Sequence, residues 1–138
     1  MAISSIHEPA FPEALRHLGP KIAESREILE LADDWDDEGS PGYQEDTWER
    51  ASGFLVRSVI ALWEAHGIVT DHALILPGPN GSVDLDWRAH GRELLINVPS
   101  DPSEPATCHG DDGAGGRRIK GTLDLGLSNR WLLLWLAE

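Results

Sequence analysis

The chain has 138 residues, 41% of them hydrophobic, and six tryptophans, which is the size and composition of one packed domain and excludes a chain disordered throughout. Its 11 basic and 24 acidic residues give a net charge of −13, which repels a phosphate backbone and disfavours direct binding to nucleic acid. A single cysteine, Cys108, excludes an internal disulfide and a four-cysteine zinc site and fits a reducing cytoplasm, and no apolar run approaches the roughly 20 residues of a membrane helix.

Residues 1–19 carry Pro9 and Pro12 among scattered apolar positions. They read as a loosely attached arm, with a short helical turn from Pro12 to Leu18, ahead of a single α+β domain over 20–138. Pro20 is placed to open a first helix, in which Ile22, Ile28, Leu29 and Ala32 lay an apolar stripe along Lys21 to Asp33. A longer second helix is predicted from Glu45 to His66, ended by Gly67. Trp48, Ala51, Leu55, Val59 and Leu62 keep a three-and-four spacing there, and Phe54, Ile60 and Trp63 widen the apolar face.

Beyond it the period changes to two: Val83, Leu85 and Trp87 alternate with Asp84, Asp86 and Arg88, as a half-buried strand requires. A tight connection through Ala89, His90 and Gly91 leads to Glu93–Val98, and Ala106–His109 with Arg117–Leu123 supply two more strands around a glycine-rich tip. His72 to Leu76 allows a short strand ahead of these. Trp131, Leu132, Leu134, Trp135 and Leu136 make Leu127–Glu138 an apolar terminal helix suited to closing a core. The predicted fold is therefore α+β: two N-terminal helices, an antiparallel four-stranded meander and a closing C-terminal helix.

The sharpest local pattern is Asp34-Trp35-Asp36-Asp37-Glu38-Gly39 with Glu45 behind it, which matches calcium-loop spacing: acids at positions one, three and five, Gly at six and Glu at twelve. Pro41 stands where such loops carry an apolar pairing residue, and there is no second copy. The same letters read more simply as a joint between two helices, with Trp35 tucked under the last turn and Gly39 in a left-handed conformation.

Leu31 to Pro41 also resembles the Trp-Asp-Gly-Tyr-Gly-Ala-Pro signature of an uncharacterised group of small bacterial proteins, with Phe54-Leu55 in the place of that group's Phe-Leu. Pro79 to Trp87 matches its Pro-x-Gly-x-Val-x-Leu-x-Trp strand, followed by Glu93 to Val98. The resemblance spans Leu31 to Val98 and departs from the signature at Asp37, where Gly is usual, and Glu38, where an aromatic is usual. It implies two helices, an antiparallel meander and a closing helix, and a setting among variable or defence-like gene neighbourhoods, with no established activity.

No catalytic set stands out. Asp84, Asp86 and Glu93 are the kind of acid group that binds magnesium or serves as an acid–base pair, but alternating acids on a strand are usually its solvated face. Cys108 and His109 are adjacent on a strand and point to opposite sides. The six histidines show no metal-ligand spacing. The expectation is a non-catalytic, cytoplasmic protein-binding module without a cofactor, an accessory subunit or neutralising partner resembling an antitoxin or inhibitor.

Eight acids lie between Asp33 and Glu49 with no basic residue until Arg50. The expected partner surface is Asp33, Asp34, Trp35, Asp36, Asp37, Glu38, Glu45, Asp46 and Glu49, facing another protein, one of basic charge. Two alternatives are a divalent-metal protein using the Asp34–Glu45 loop and an inhibitor that mimics nucleic-acid charge.

Overall fold

The computed structural model describes residues 11–70, 73–89, 91–113 and 118–126, together with Leu132, Leu134 and Trp135. The first regular element is a 3₁₀ turn, Glu13–Leu15, followed by helix α1, Leu18–Glu24, which continues as a 3₁₀ segment, Ser25–Glu30. Leu31 turns the chain into an extended conformation. The helical segment thus starts before Pro20 and ends before the predicted Asp33. Pro20 is tolerated as the third helical residue because first-turn amides have no acceptor within the helix. Ile28 is buried and Ile22 and Leu29 are partly buried, while Ala32 lies past the helical end and is exposed. Of the stretch read as an arm, residues 1–10 lie outside the described residues, and Leu15 and Leu18 are fully buried in the core.

Helix α2 spans Glu45–His66, as its periodicity predicts. Glu45 and Asp46 occupy its first turn, and Gly67 closes it in the left-handed region at φ 66°, donating its N–H to the Trp63 carbonyl at 2.7 Å. Trp48, Ala51, Phe54, Leu55, Val59 and Leu62 form its buried face.

Among the described residues five strands follow: β1 Ala73–Pro77, β2 Val83–Ala89, β3 Arg92–Val98, β4 Ala106–Asp111 and β5 Arg118–Leu123. They form one antiparallel sheet in the order 1-2-3-4-5, each strand beside its sequence neighbour. The expectation of four strands is corrected to five. Residues 73–77, Ala-Leu-Ile-Leu-Pro, are apolar on both faces, so they lack the alternation that marks β2, and a proline argues against a central strand. Gly78 donates to the Ser82 carbonyl at 2.9 Å, so with Pro77 opposite Val83 the paired amides of β1 are those of Leu74 and Leu76. Pro77 falls where no ladder hydrogen bond is needed.

The inner sheet face, with Ile75, Val83, Leu85, Trp87, Leu94, Ile96 and Cys108, packs against α2 and the α1 segment in one cluster. The predicted closing helix over Leu127–Glu138 is not recovered as an element: of its residues only Leu132, Leu134 and Trp135 are described, each in helical conformation, and the rest lie outside the described residues. Leu132 and Trp135 are nonetheless buried, and the Trp135 ring lies so close over Gly110 of β4 that a Cβ there would meet it at 3.0 Å. Among the described residues no helix is long and apolar enough to cross a membrane.

Candidate functional site: an acidic joint and an outer sheet face

The segment from Leu31 to Gln44 joins the two helices as a self-bonded loop. Asp34 and Asp37 adopt left-handed conformations, φ 61° and 60°, which Asp tolerates better than most residues, and Gly39 does so at φ 80°. Three carboxylates turn inward to the loop's own donors. Asp33 Oδ1 accepts from the Gly42 N–H and Asp34 Oδ1 from the Gly39 N–H, both at 2.8 Å. Asp36 Oδ1 accepts from the N–H groups of Glu38 (3.0 Å) and Ser40 (3.3 Å), while its Oδ2 accepts from the Ser40 hydroxyl. That hydroxyl bond, helped by the backbone donors, holds the Asp36 carboxyl below the usual carboxylate range. The backbone of Asp34 closes the loop by donating to the Ser40 carbonyl at 2.7 Å.

The loop is braced against the sheet. Tyr43 is buried and donates its hydroxyl to the Gly78 carbonyl at 2.7 Å, and burial first, then the charges of Asp36 and Asp84, push its phenol pKa up. Gly42 runs so close to the start of the loop that a Cβ would lie 2.8 Å from the Leu31 carbonyl oxygen. Trp35 lies across the outside, 40% exposed, with its ring centroid 6.1 Å from that of Tyr43 and its indole N–H donating to the Pro41 carbonyl at 3.3 Å.

The remaining predicted partner residues fall into two groups. Glu45 pairs with Arg26 at 3.1 Å, and the Arg26 guanidinium also stacks over the Trp48 ring; Asp46 pairs with Arg50 at 3.0 Å. Arg50 reaches onward to the carbonyls of Pro99 and Ser100, tying α2 to the loop after β3. Asp37, Glu38 and Glu49 are exposed, and among the described residues their side chains make no hydrogen bond or ion pair. The eight acids among these residues thus divide into carboxylates held by the fold and carboxylates facing solvent. Among the described residues no group of three or more His, Cys, Asp or Glu side chains is arranged to hold a metal ion. In the Asp34–Glu45 loop, Asp34 and Asp36 turn carboxylate oxygens to the loop's own amides instead of to a common centre.

The outer sheet face holds a second acidic site whose burial the alternating pattern did not reveal. Across one row, Leu74, Asp86, Leu95 and His109 stand side by side. Leu74, Leu76 and Leu95 are exposed, but Asp86 is only 4% exposed. Arg88 Nε lies 3.3 Å from Asp86 Oδ2 and 3.0 Å from Glu93 Oε2. Burial, then the neighbouring Glu93 carboxyl, raises the Asp86 pKa to about 6 against the opposing pull of Arg88. This is a correction to the solvated-face reading at Asp86, though not at Asp84, whose partly exposed carboxylate accepts from Asn97 Nδ2 at 2.8 Å. On β4, Cys108 faces the core, where burial raises its thiol pKa, while His109 is exposed on the opposite face.

No protein-family model, curated protein or solved structure matches this chain.

Proposed function

We infer that the chain is a non-catalytic acidic protein-binding module, cytoplasmic, acting as an accessory subunit or neutralising partner in a bacterial defence, toxin or regulatory system. The observation that carries this reading is Trp35, a large aromatic left 40% exposed on a loop whose every local bond holds it in place. Around it Asp37 and Glu38 present charge that no residue of the loop neutralises. An aromatic anchor at the centre and carboxylates at the rim suit a basic protein surface: the ring supplies contact area at low entropic cost, and the charges speed encounter. The net charge of −13 extends the same attraction over a longer range.

The test is co-purification of the tagged chain from its native host alongside Trp35→Ala and the double charge reversal Asp37→Lys/Glu38→Lys. The expected result is a partner that elutes early as salt is raised and is lost from both variants. A partner retained equally by all three proteins would place recognition elsewhere and defeat the assignment of this loop.

A further inference from the structure

Among the described residues strand β1 is an edge of the sheet, and its free side faces a groove. The parity set by the Gly78–Ser82 hydrogen bond directs the N–H and C=O groups of Leu74 and Leu76 towards β2 and those of Ala73 and Ile75 outward. Among the described residues those outward groups have no partner. Opposite them stands the helical segment 18–30, and between the two lies an open groove of about 370 Å³. Its floor and sheet wall are Ala73, Leu74 and Ile75, with Ile22 and Ile28 beneath, and its helical rim carries Lys21, Glu24 and Glu27. Glu24 and Glu27 are exposed and three residues apart, hence on the same face of the helical segment.

We propose that this groove binds an extended, lysine- or arginine-bearing segment of a partner protein, which adds to the free edge of β1 as a sixth strand. Two features select that occupant. A row of outward backbone donors and acceptors is met in full only by another extended backbone, the basis of recognition by strand addition. The wall facing the incoming strand carries two carboxylates to one ammonium, so side chains of the added strand that lean towards the helix meet a net negative rim. Pro77 limits the pairing at one end, because it has no N–H to offer an added strand. The groove is built from other residues than the Trp35 loop, so either surface can fail while the other stands.

The test uses the full-length, isotope-labelled chain and a short synthetic peptide alternating lysine and valine, with a control in which every second amide of the peptide is N-methylated. Hydrogen exchange at individual amides is followed by NMR. Binding by strand addition slows exchange at Ala73 and Ile75 by roughly tenfold or more at saturation. The N-methylated peptide does not slow it, and Glu24→Lys/Glu27→Lys, two exposed substitutions, weakens the effect. The proposal is overturned if exchange at Ala73 and Ile75 is unchanged at the highest peptide concentration, or if the N-methylated control protects them equally. It is also overturned if the chain pairs its own β1 edges into a dimer, seen as a doubled mass by sedimentation.

Discussion

The acidic joint and the outer sheet face both place carboxylates on the protein surface, and the fold treats them in opposite ways. In the joint, Asp33, Asp34 and Asp36 each accept backbone N–H groups, and the Asp36 carboxyl is held ionised by them and by Ser40. On the sheet, Asp86 is flanked in its row by Leu74 and Leu95 and has another carboxyl for a neighbour and, among the described residues, one guanidinium in reach, so it keeps its proton to about pH 6. The residue type is the same; the supply of donors differs. A loop has amides to spare, whereas the amides of a sheet are already spent on the ladder.

The largest expected effect comes from breaking the joint. Gly42→Ala puts a methyl 2.8 Å from the Leu31 carbonyl oxygen, and both sides of that contact are backbone, so neither can swing away. The expected loss is about 2–3 kcal/mol of unfolding free energy, read from urea denaturation, with the Asp33–Gly42 hydrogen bond among those disturbed. An unchanged denaturation midpoint would mean that the two ends of the loop are not held together as closely as the structure has them.

The next effect sharpens the contrast through pH. A carboxyl whose pKa is higher in the folded state than in the unfolded chain binds its proton more tightly when folded. Its contribution is greatest below the unfolded value, near 3.8, and is lost as pH rises towards about 6. Asp36 and Asp101, both held below the ordinary value by hydrogen bonds, act in the reverse sense and cost stability only as pH falls below about 4. Stability is therefore expected to decline between pH 4 and pH 6 by on the order of 2 kcal/mol on account of Asp86, and Asp86→Asn should flatten that limb. Thermal melts at a series of pH values measure both, and a limb of the same slope in Asp86→Asn would show that another group is responsible.

The sequence makes some of this legible and leaves the rest out for physical reasons. The bounds of α2 follow from an unbroken apolar period and a terminal glycine, and β2 follows from strict alternation. The strand β1 is harder to read because Leu74 and Leu76 stay apolar on the solvent side, so no period survives to mark it. The same failure hides the groove, since the edge and its helical wall are about 50 residues apart in the chain. The acids of the joint are close in the chain, on the loop and on the first turns of α2. Which of them face inward is decided by left-handed residues at Asp34 and Asp37, and an Asp adopting that conformation carries no mark in the sequence. Burial of Asp86 depends on Leu74 and Leu95 of two other strands, so it too is invisible along a single strand.

The smallest effect on stability is expected at the residue given the largest role in binding. Trp35 leaves 40% of its surface in water and makes one long hydrogen bond to the Pro41 carbonyl, while Tyr43 anchors the loop without it. Trp35→Ala should therefore cost only about 0.5–1 kcal/mol in urea denaturation, well short of the 3–5 kcal/mol typical of a core tryptophan. A buried ring retained for packing and an exposed ring retained for contact differ in this measurement. If Trp35→Ala destabilises the chain as much as Gly42→Ala does, Trp35 is a structural prop and the partner-binding reading loses its anchor. If the melt barely moves, the fold has little use for a large aromatic at this position, and the ring stays available for the contact that the partner-binding reading assigns to it beside Asp37 and Glu38.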